Sequence, residues 1–437
     1  MSVSNKRETP HLVFLPSGIG NLSPFFRLAV VMASSNCKVT FINVQSEAVD
    51  PDFANHPGVE VVDFEMQAET SSNTTISDPF IARVASINRA LYRLSPILAS
   101  LQVSAIFSDF AVAATLAQIS DDLNIPLHMV STTSALFFAL VTNLPLLLSQ
   151  DSNLFSNSTR EIDVQGMPSI PKTHIPAAWL HNSSTNHLLT AYLLPNARAL
   201  PKVKGVLLNS FNWFEQETLA ALNCSRALQI FPVGPLPTYE QQKGHHLPWL
   251  SEQPAQSVVY VDFGSQEVIS PDQIREVKKG LEISGFHYLW VTEYAGESCF
   301  ERSKQGIIIS GGVDQERVLA DPAIGVFVNQ CEWQSIMQAA WEGVPMLAWP
   351  QHGDQKMNAE AIEKTGLGIW MKEWSSGGEE LVDGNEIGRQ VGQMMEDMNI
   401  KKAAKFVRER AREACENGGS SQKAFNQLVQ MFTSSKN

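Results

Sequence analysis

The sequence predicts an α/β protein built from two doubly wound parallel-sheet domains, and three observations carry that expectation. Short β-branched runs alternate with longer amphipathic stretches from one end of the chain to the other. Those runs are continuously apolar, as strands covered on both faces are. The pattern resets once, in the Pro- and Gly-rich stretch "FPVGPLPTYEQQKGHHLPWLSEQPAQS", whose composition suits a connection between domains.

In chain order, "HLVFLPS", "KVTFINV", "SAIFSDF", "PLHMVST" and "GVLLNS" are the strands of the first half. Each is rich in Val, Ile or Phe and stops at a polar or turn-forming residue. "SVVYVDFGS", "HYLWVTE", "GIIIS", "IGVFVNQ" and "PMLAWP" are those of the second half. Between them, "DPFIARVASINRALYRLSPILASL" and "PDQIREVKKGLEISG" repeat apolar residues at helical spacing. The expected division is a domain over 1–236, a linker over 237–250, a domain over 251–415, and a terminal helix over 416–437 that packs back on the first domain. Sheets of this kind bind ligands outside the carboxyl ends of their strands, so a cleft between the domains is the expected site.

Composition excludes several classes. The 437 residues are 44% hydrophobic and 18% charged, ordinary for a globular chain, and carry a net charge of −13. The basic run "KKAAKFVRERAR" fits the solvated face of a terminal helix, and nucleic acid is not an expected partner. Cys37, Cys224, Cys299, Cys331 and Cys415 show no metal-ligand spacing and fit reduced thiols in the cytoplasm. His245 and His246 lack a partner at metal spacing, so no metal is expected. "MSVSNKRETP" contains no apolar run of a signal peptide. "SALFFALVTNLPLLL" is broken by Asn143 and Pro145 and is too short for membrane insertion.

A few stretches point to chemistry. "PSGIGNLSPFFRLA" places a glycine turn, with Gly20, directly after the first strand; it either lines a site or simply turns the chain. Asp109 ends "SAIFSDF", where a carboxylate orients or holds a base, with a helix N-cap as the alternative. Ser265 closes "FGS" at another strand end. "VFVNQCEWQS" has the form of a strand entering a helix through an anion-binding turn, yet it carries Glu332. "HGDQ" offers Asp354 and Gln355 to hydroxyl groups. Phe80 is an aromatic wall or a core residue, and Thr133 in "STTSALFF" is a candidate pocket residue.

"LPWLSEQPAQSVVYVDFGS", "VLLNSFNWFEQETLAAL" and "GVPMLAWPQHGDQKMNAE" resemble the plant family 1 UDP-glycosyltransferases, and the resemblance covers nearly the whole chain. "VDQERVL" and "WPQHGDQ" are closest to the branch that makes flavonoid C-glycosides. The resemblance implies the GT-B fold, two Rossmann-like domains facing a cleft, with the acceptor in the first and the UDP-sugar mainly in the second. It also locates departures. The family's uracil-stacking Trp falls on Gly312, its diphosphate-binding His on Gln330 and its phosphate-approach Gly on Glu332. The Asn of that turn falls on Gln334 and the ribose-clasping Glu on Gln338. Gln315, Trp333, Ser335, Asp354 and Gln355 are kept. The catalytic His falls on Asn21, which has no group able to accept a proton near neutral pH, while its partner Asp is Asp109.

These losses have magnitudes. A missing stacking contact is worth about 1–3 kcal/mol, and the amide for a carboxylate about one more. Glu332 beside a diphosphate adds several on the order of kcal/mol even at an effective dielectric near 20. Together they match the roughly 8 kcal/mol of a micromolar affinity. The expectation is weak or absent UDP-sugar binding and no other cofactor. The leading functional expectation is a non-glycosylating enzyme of phenolic metabolism, an isomerase, dehydratase or cyclase using Asp109, Asn21 and Glu332. The alternatives are a residual UDP-dependent C- or O-glycosyltransferase and a ligand- or partner-binding pseudoenzyme. The expected partner is a small phenolic molecule lined by Gly20, Phe80, Thr133, Asp354 and Gln355. Association with other pathway enzymes is a further expectation.

Overall fold

The strands form because apolar, β-branched runs bury both their faces. The structure, a computed structural model, describes residues 9–18, 22–44, 51–64, 79–152, 154–157, 161–180, 188–224, 228–236, 247–264, 269–292, 300–311, 313–374 and 380–433. The chain divides into two compact units. The first comprises Met1–Lys172, Ala178–Gln242 and Cys415–Asn437; the second comprises Thr173–Ala177 and Lys243–Ala414.

The first unit holds strands β1 (His11–Leu15), β2 (Lys38–Asn43), β3 (Val59–Asp63), β4 (Ala105–Ser108), β5 (Leu127–Ser131), β6 (Gly205–Leu208) and β7 (Ile230–Pro232). They form one sheet in the order β3-β2-β1-β4-β5-β6-β7, with every pairing parallel. Along β1, Val13 and Leu15 enter one core and Leu12 and Phe14 the other, as the two-residue period of a strand requires. On the second face Phe14 and Phe107 stack with centroids 4.8 Å apart. The helix Ser420–Thr433 lies on that same face. Leu428 is fully buried there, Phe432 meets Phe107 at 5.9 Å and His128 at 5.3 Å, and Ser421 donates to the Gly234 carbonyl.

The second unit holds β8 (Val258–Asp262), β9 (His287–Val291), β10 (Phe300–Arg302), β11 (Gly306–Ile309), β12 (Ile324–Asn329), β13 (Met346–Ala348) and β14 (Gly368–Trp370). Their order is β10-β11-β9-β8-β12-β13-β14. Val259, Val261, Val326 and Val328 fill one core, while Tyr260 and Phe327 stack at 4.8 Å on the opposite face.

Several expectations need correction. The second sheet is not wholly parallel, because β10 runs antiparallel to β11 at its edge. Strands β3, β7, β10 and β14 were not among the predicted runs, and β7 lies at the start of the stretch read as a connection. Asn143 and Pro145 interrupt an apolar run but not its helix, which spans Ala135–Gln150. The Asn143 side chain donates to the Ala139 carbonyl from within it. Thr173–Ala177 belongs with the second unit, not the first: His174 Nδ1 is 3.3 Å from Glu360 Oε2, and its ring meets Trp370 edge-on at 5.1 Å. His245, His246 and residues 237–246 of the predicted linker lie outside the described residues. Among the described residues no helix is long and apolar enough to cross a membrane.

Candidate functional site

In the first unit the candidate residues gather at the carboxyl ends of β1, β4 and β5. Asp109 follows β4 with an extended backbone and caps the short helical turn Phe110–Val112, its carboxylate accepting from the Ala111 N–H at 2.9 Å. The other oxygen accepts from the Ser17 N–H at 2.6 Å, and the Ser17 hydroxyl adds a further bond. One carboxylate therefore caps its own turn and pins the loop after β1. Burial raises its pKa above the ordinary aspartate value, against the opposing pull of these donors. Gly20 and Asn21, the predicted glycine turn and the position of the family's base, lie outside the described residues.

Thr133 is half-buried in the turn from β5 into the helix Ala135–Gln150, 3.1 Å from the Ser131 hydroxyl. That helix begins under close control. Ser134 accepts from Phe137 N–H at 3.3 Å. Glu215 accepts from the N–H groups of Ala135 (3.0 Å) and Leu136 (3.3 Å) and from the Ser210 hydroxyl (2.6 Å). Burial pushes the Glu215 carboxyl up to about 7 although these three donors favour its charged form. Glu215 lies within "VLLNSFNWFEQETLAAL", which the sequence used only for resemblance.

Phe80 is not a core residue: 38% of it is exposed. Its ring meets Tyr192 edge-on at 5.2 Å, and Tyr192 in turn meets Phe110 edge-on at 5.9 Å. Tyr192 escaped sequence reasoning because it sits in a π-helical turn, Leu188–Leu193, with no periodic signature. Burial and the charge of Asp109 hold its phenol far above the usual value.

In the second unit the candidates gather where β8, β12 and β13 end. The Asn329 amide donates to the Asp262 carbonyl and its oxygen accepts from the Cys331 N–H, both at 2.8 Å. Cys331 takes φ +71, a conformation an L-residue adopts only when its surroundings over-determine it. Here Asn358 also binds the Cys331 carbonyl, at 3.0 Å. Gln330 is buried with its amide against Gly264, where a Cβ would collide with it.

The turn delivers Glu332 to the N-cap of the helix Trp333–Glu342, and its side chain caps no N–H. A helix N-terminus attracts negative charge; this one already carries its own. The Glu332 side chain is exposed, but partial desolvation by the surrounding protein, then the charges of Asp354 and Asp262, raise its carboxyl above the usual range. Burial raises Asp262 and Asp354 as well. Trp333, Gln334 and Ser335 form a buried first turn.

Gln315 and Gln338, separate remnants in the sequence, are brought together. The Gln315 amide donates to Ser335 Oγ at 3.0 Å and to Gln338 Oε1, while Gln338 donates to Glu316 Oε1 at 2.7 Å. Asp354 is hydrogen-bonded to the Asn358 side chain. The Gln355 oxygen accepts from the N–H groups of Gln351 (2.8 Å) and His352 (2.9 Å), folding back on its own loop. Ser265 and Gly312 lie outside the described residues. Among the described residues no group of three or more His, Cys, Asp or Glu is placed to hold a metal ion.

Comparison with known proteins agrees with the resemblance read from the motifs. The family described as UDP-glucoronosyl and UDP-glucosyl transferase matches residues 236–383. UDP-glycosyltransferase 708G2 of Citrus unshiu is 34% identical, covering 98% of this chain and 98% of its own. UDP-glycosyltransferase CGT of Oryza sativa subsp. japonica is 35% identical over 97% of this chain and 96% of its own. The crystal structure of LpCGTa in complex with UDP matches with a TM-score of 0.86 at 34% identity, covering 98% of this chain and 100% of that one. TcCGT1 in complex with UDP matches with a TM-score of 0.84 at 25% identity, over 97% and 99%. The fold is therefore GT-B, and on end-to-end identity of this order the chain belongs to the plant family 1 UDP-glycosyltransferases.

Proposed function

We propose that this family member no longer uses a sugar nucleotide and acts instead on a phenolic, flavonoid-like molecule held by its N-terminal unit. The reaction is one that needs only proton transfer: an isomerisation, dehydration or cyclisation. The observation that carries this reading is Glu332 at the N-cap of Trp333–Glu342, where a diphosphate needs bare backbone N–H groups and no anion. The Gln315–Ser335–Gln338–Glu316 hydrogen bonds support it, since groups suited to a nucleoside are engaged with one another. Asp109 and Glu332, both with carboxyls raised above their ordinary range, supply the candidate proton-transfer groups. The partners implied are a small phenolic and, secondarily, other enzymes of its pathway. Free thiols at Cys37, Cys224, Cys331 and Cys415 support a cytoplasmic setting.

A second reading, a residual UDP-dependent C- or O-glycosyltransferase, draws support from the similarity to CGT relatives and from the retained Gln315, Asp354 and Gln355. Calorimetry with UDP separates the two. Removing a unit charge about 5 Å from a phosphate at an effective dielectric near 20 is worth about 3 kcal/mol, so E332G should bind UDP on the order of a hundredfold more tightly than the native chain. Micromolar UDP binding by the native chain would refute the proposal. Incubation with a phenolic panel and no nucleotide should give a product; binding without turnover would instead identify a pseudoenzyme.

A further inference from the structure

The first unit contains a polar group left over by both the fold and the reading above. Tyr192 is half-buried, and its ring meets both Phe80 and Phe110 edge-on, each nearly perpendicular to it (87° and 86°). Its backbone is fixed: the buried Asn196 donates to the Tyr192 carbonyl at 2.9 Å and to the Ala111 carbonyl at 3.3 Å, while accepting from the Ala114 N–H at 2.9 Å. These bonds lock the π-helical turn Leu188–Leu193 to the turn that begins at Asp109. Such turns are rare and recur at functional sites. Among the described residues no hydrogen bond reaches the hydroxyl of this half-buried tyrosine, so it stays available to a ligand oxygen. The neighbouring Asp109 carboxylate is already engaged by Ser17 and Ala111.

We propose that the Tyr192 hydroxyl is the hydrogen-bond donor by which the N-terminal unit recognises an oxygen on a planar aromatic ligand laid against Phe80 and Phe110. The inference rests on the reading that this unit holds a phenolic molecule, and it adds the residue that selects for the oxygen. Burial and Asp109 keep the phenol protonated at any physiological pH, so it donates throughout. The exposed Phe80 edge offers apolar surface to the rest of the ligand.

The test compares the full-length chain with Y192F and F80A by calorimetric titration with resveratrol and with trans-stilbene, its oxygen-free counterpart. Y192F should bind resveratrol roughly tenfold more weakly, the equivalent of one hydrogen bond. It should bind stilbene unchanged and melt at the native temperature, because the hydroxyl contributes nothing to the fold. F80A should weaken both probes alike. Equal resveratrol binding by Y192F and the native chain would overturn the assignment, as would equal losses for both probes. If the native chain binds neither probe, the phenolic reading itself falls, an outcome distinct from a failure of Tyr192 alone.

Discussion

Replacing Glu215 with Gln should remove a pH dependence from the stability of the first unit. In the folded chain the Glu215 carboxyl titrates at about 7, against an ordinary 4.5, because it is buried. Below pH 4.5 both folded and unfolded chains hold the proton. Between 4.5 and 7 the unfolded chain releases it while the folded chain keeps it, so stability falls as pH rises. At about 1.4 kcal/mol per pH unit the full loss is about 3 kcal/mol, complete above pH 7. Gln is neutral throughout, and its amide oxygen still accepts from the N–H groups of Ala135 or Leu136. Melting curves of the native chain and E215Q at pH 5 and pH 8 isolate the effect, since other titrating groups are common to both. The native chain should lose roughly 5–10 °C relative to E215Q over that interval. Parallel curves would show that the three donors outweigh burial, leaving the carboxylate charged throughout, and the reasoning would be refuted.

Asp109→Asn should loosen the loop after β1, because an amide nitrogen cannot accept from Ser17 or Ala111; a loss of about 2 kcal/mol is expected from denaturant titration. Leu428→Ala should cost about 2–4 kcal/mol and make the helix Ser420–Thr433 an early site of limited proteolysis, with β1 and β4 amides exchanging faster by mass spectrometry.

Legibility in the sequence followed local chemistry. The central strands announced themselves because both faces of β1, β4 and β12 are buried, which forces unbroken apolar runs. The edge strands did not: β3 is half-exposed, β14 has three residues of mixed burial, and β7 opens a Pro-rich stretch that reads as a connection. Asp109 and Glu332 were visible as carboxylates at strand ends. Tyr192 was not, since its place beside Asp109 depends on tertiary packing between segments far apart in the chain. Gln315 and Gln338 were individually legible as substituted or retained positions, but their mutual hydrogen bond depends on how one helix faces another.

The helix Ser420–Thr433 covers one face of the first unit's sheet. A ribosome making this chain must therefore finish the whole second unit before the first can close. Until then the nascent polypeptide presents Phe14, Phe107 and Phe231 without their cover, a surface for chaperones or for aggregation. A stop codon only a few dozen positions from the end would injure the N-terminal unit, and expressing the leading half alone would leave one face of its sheet uncovered.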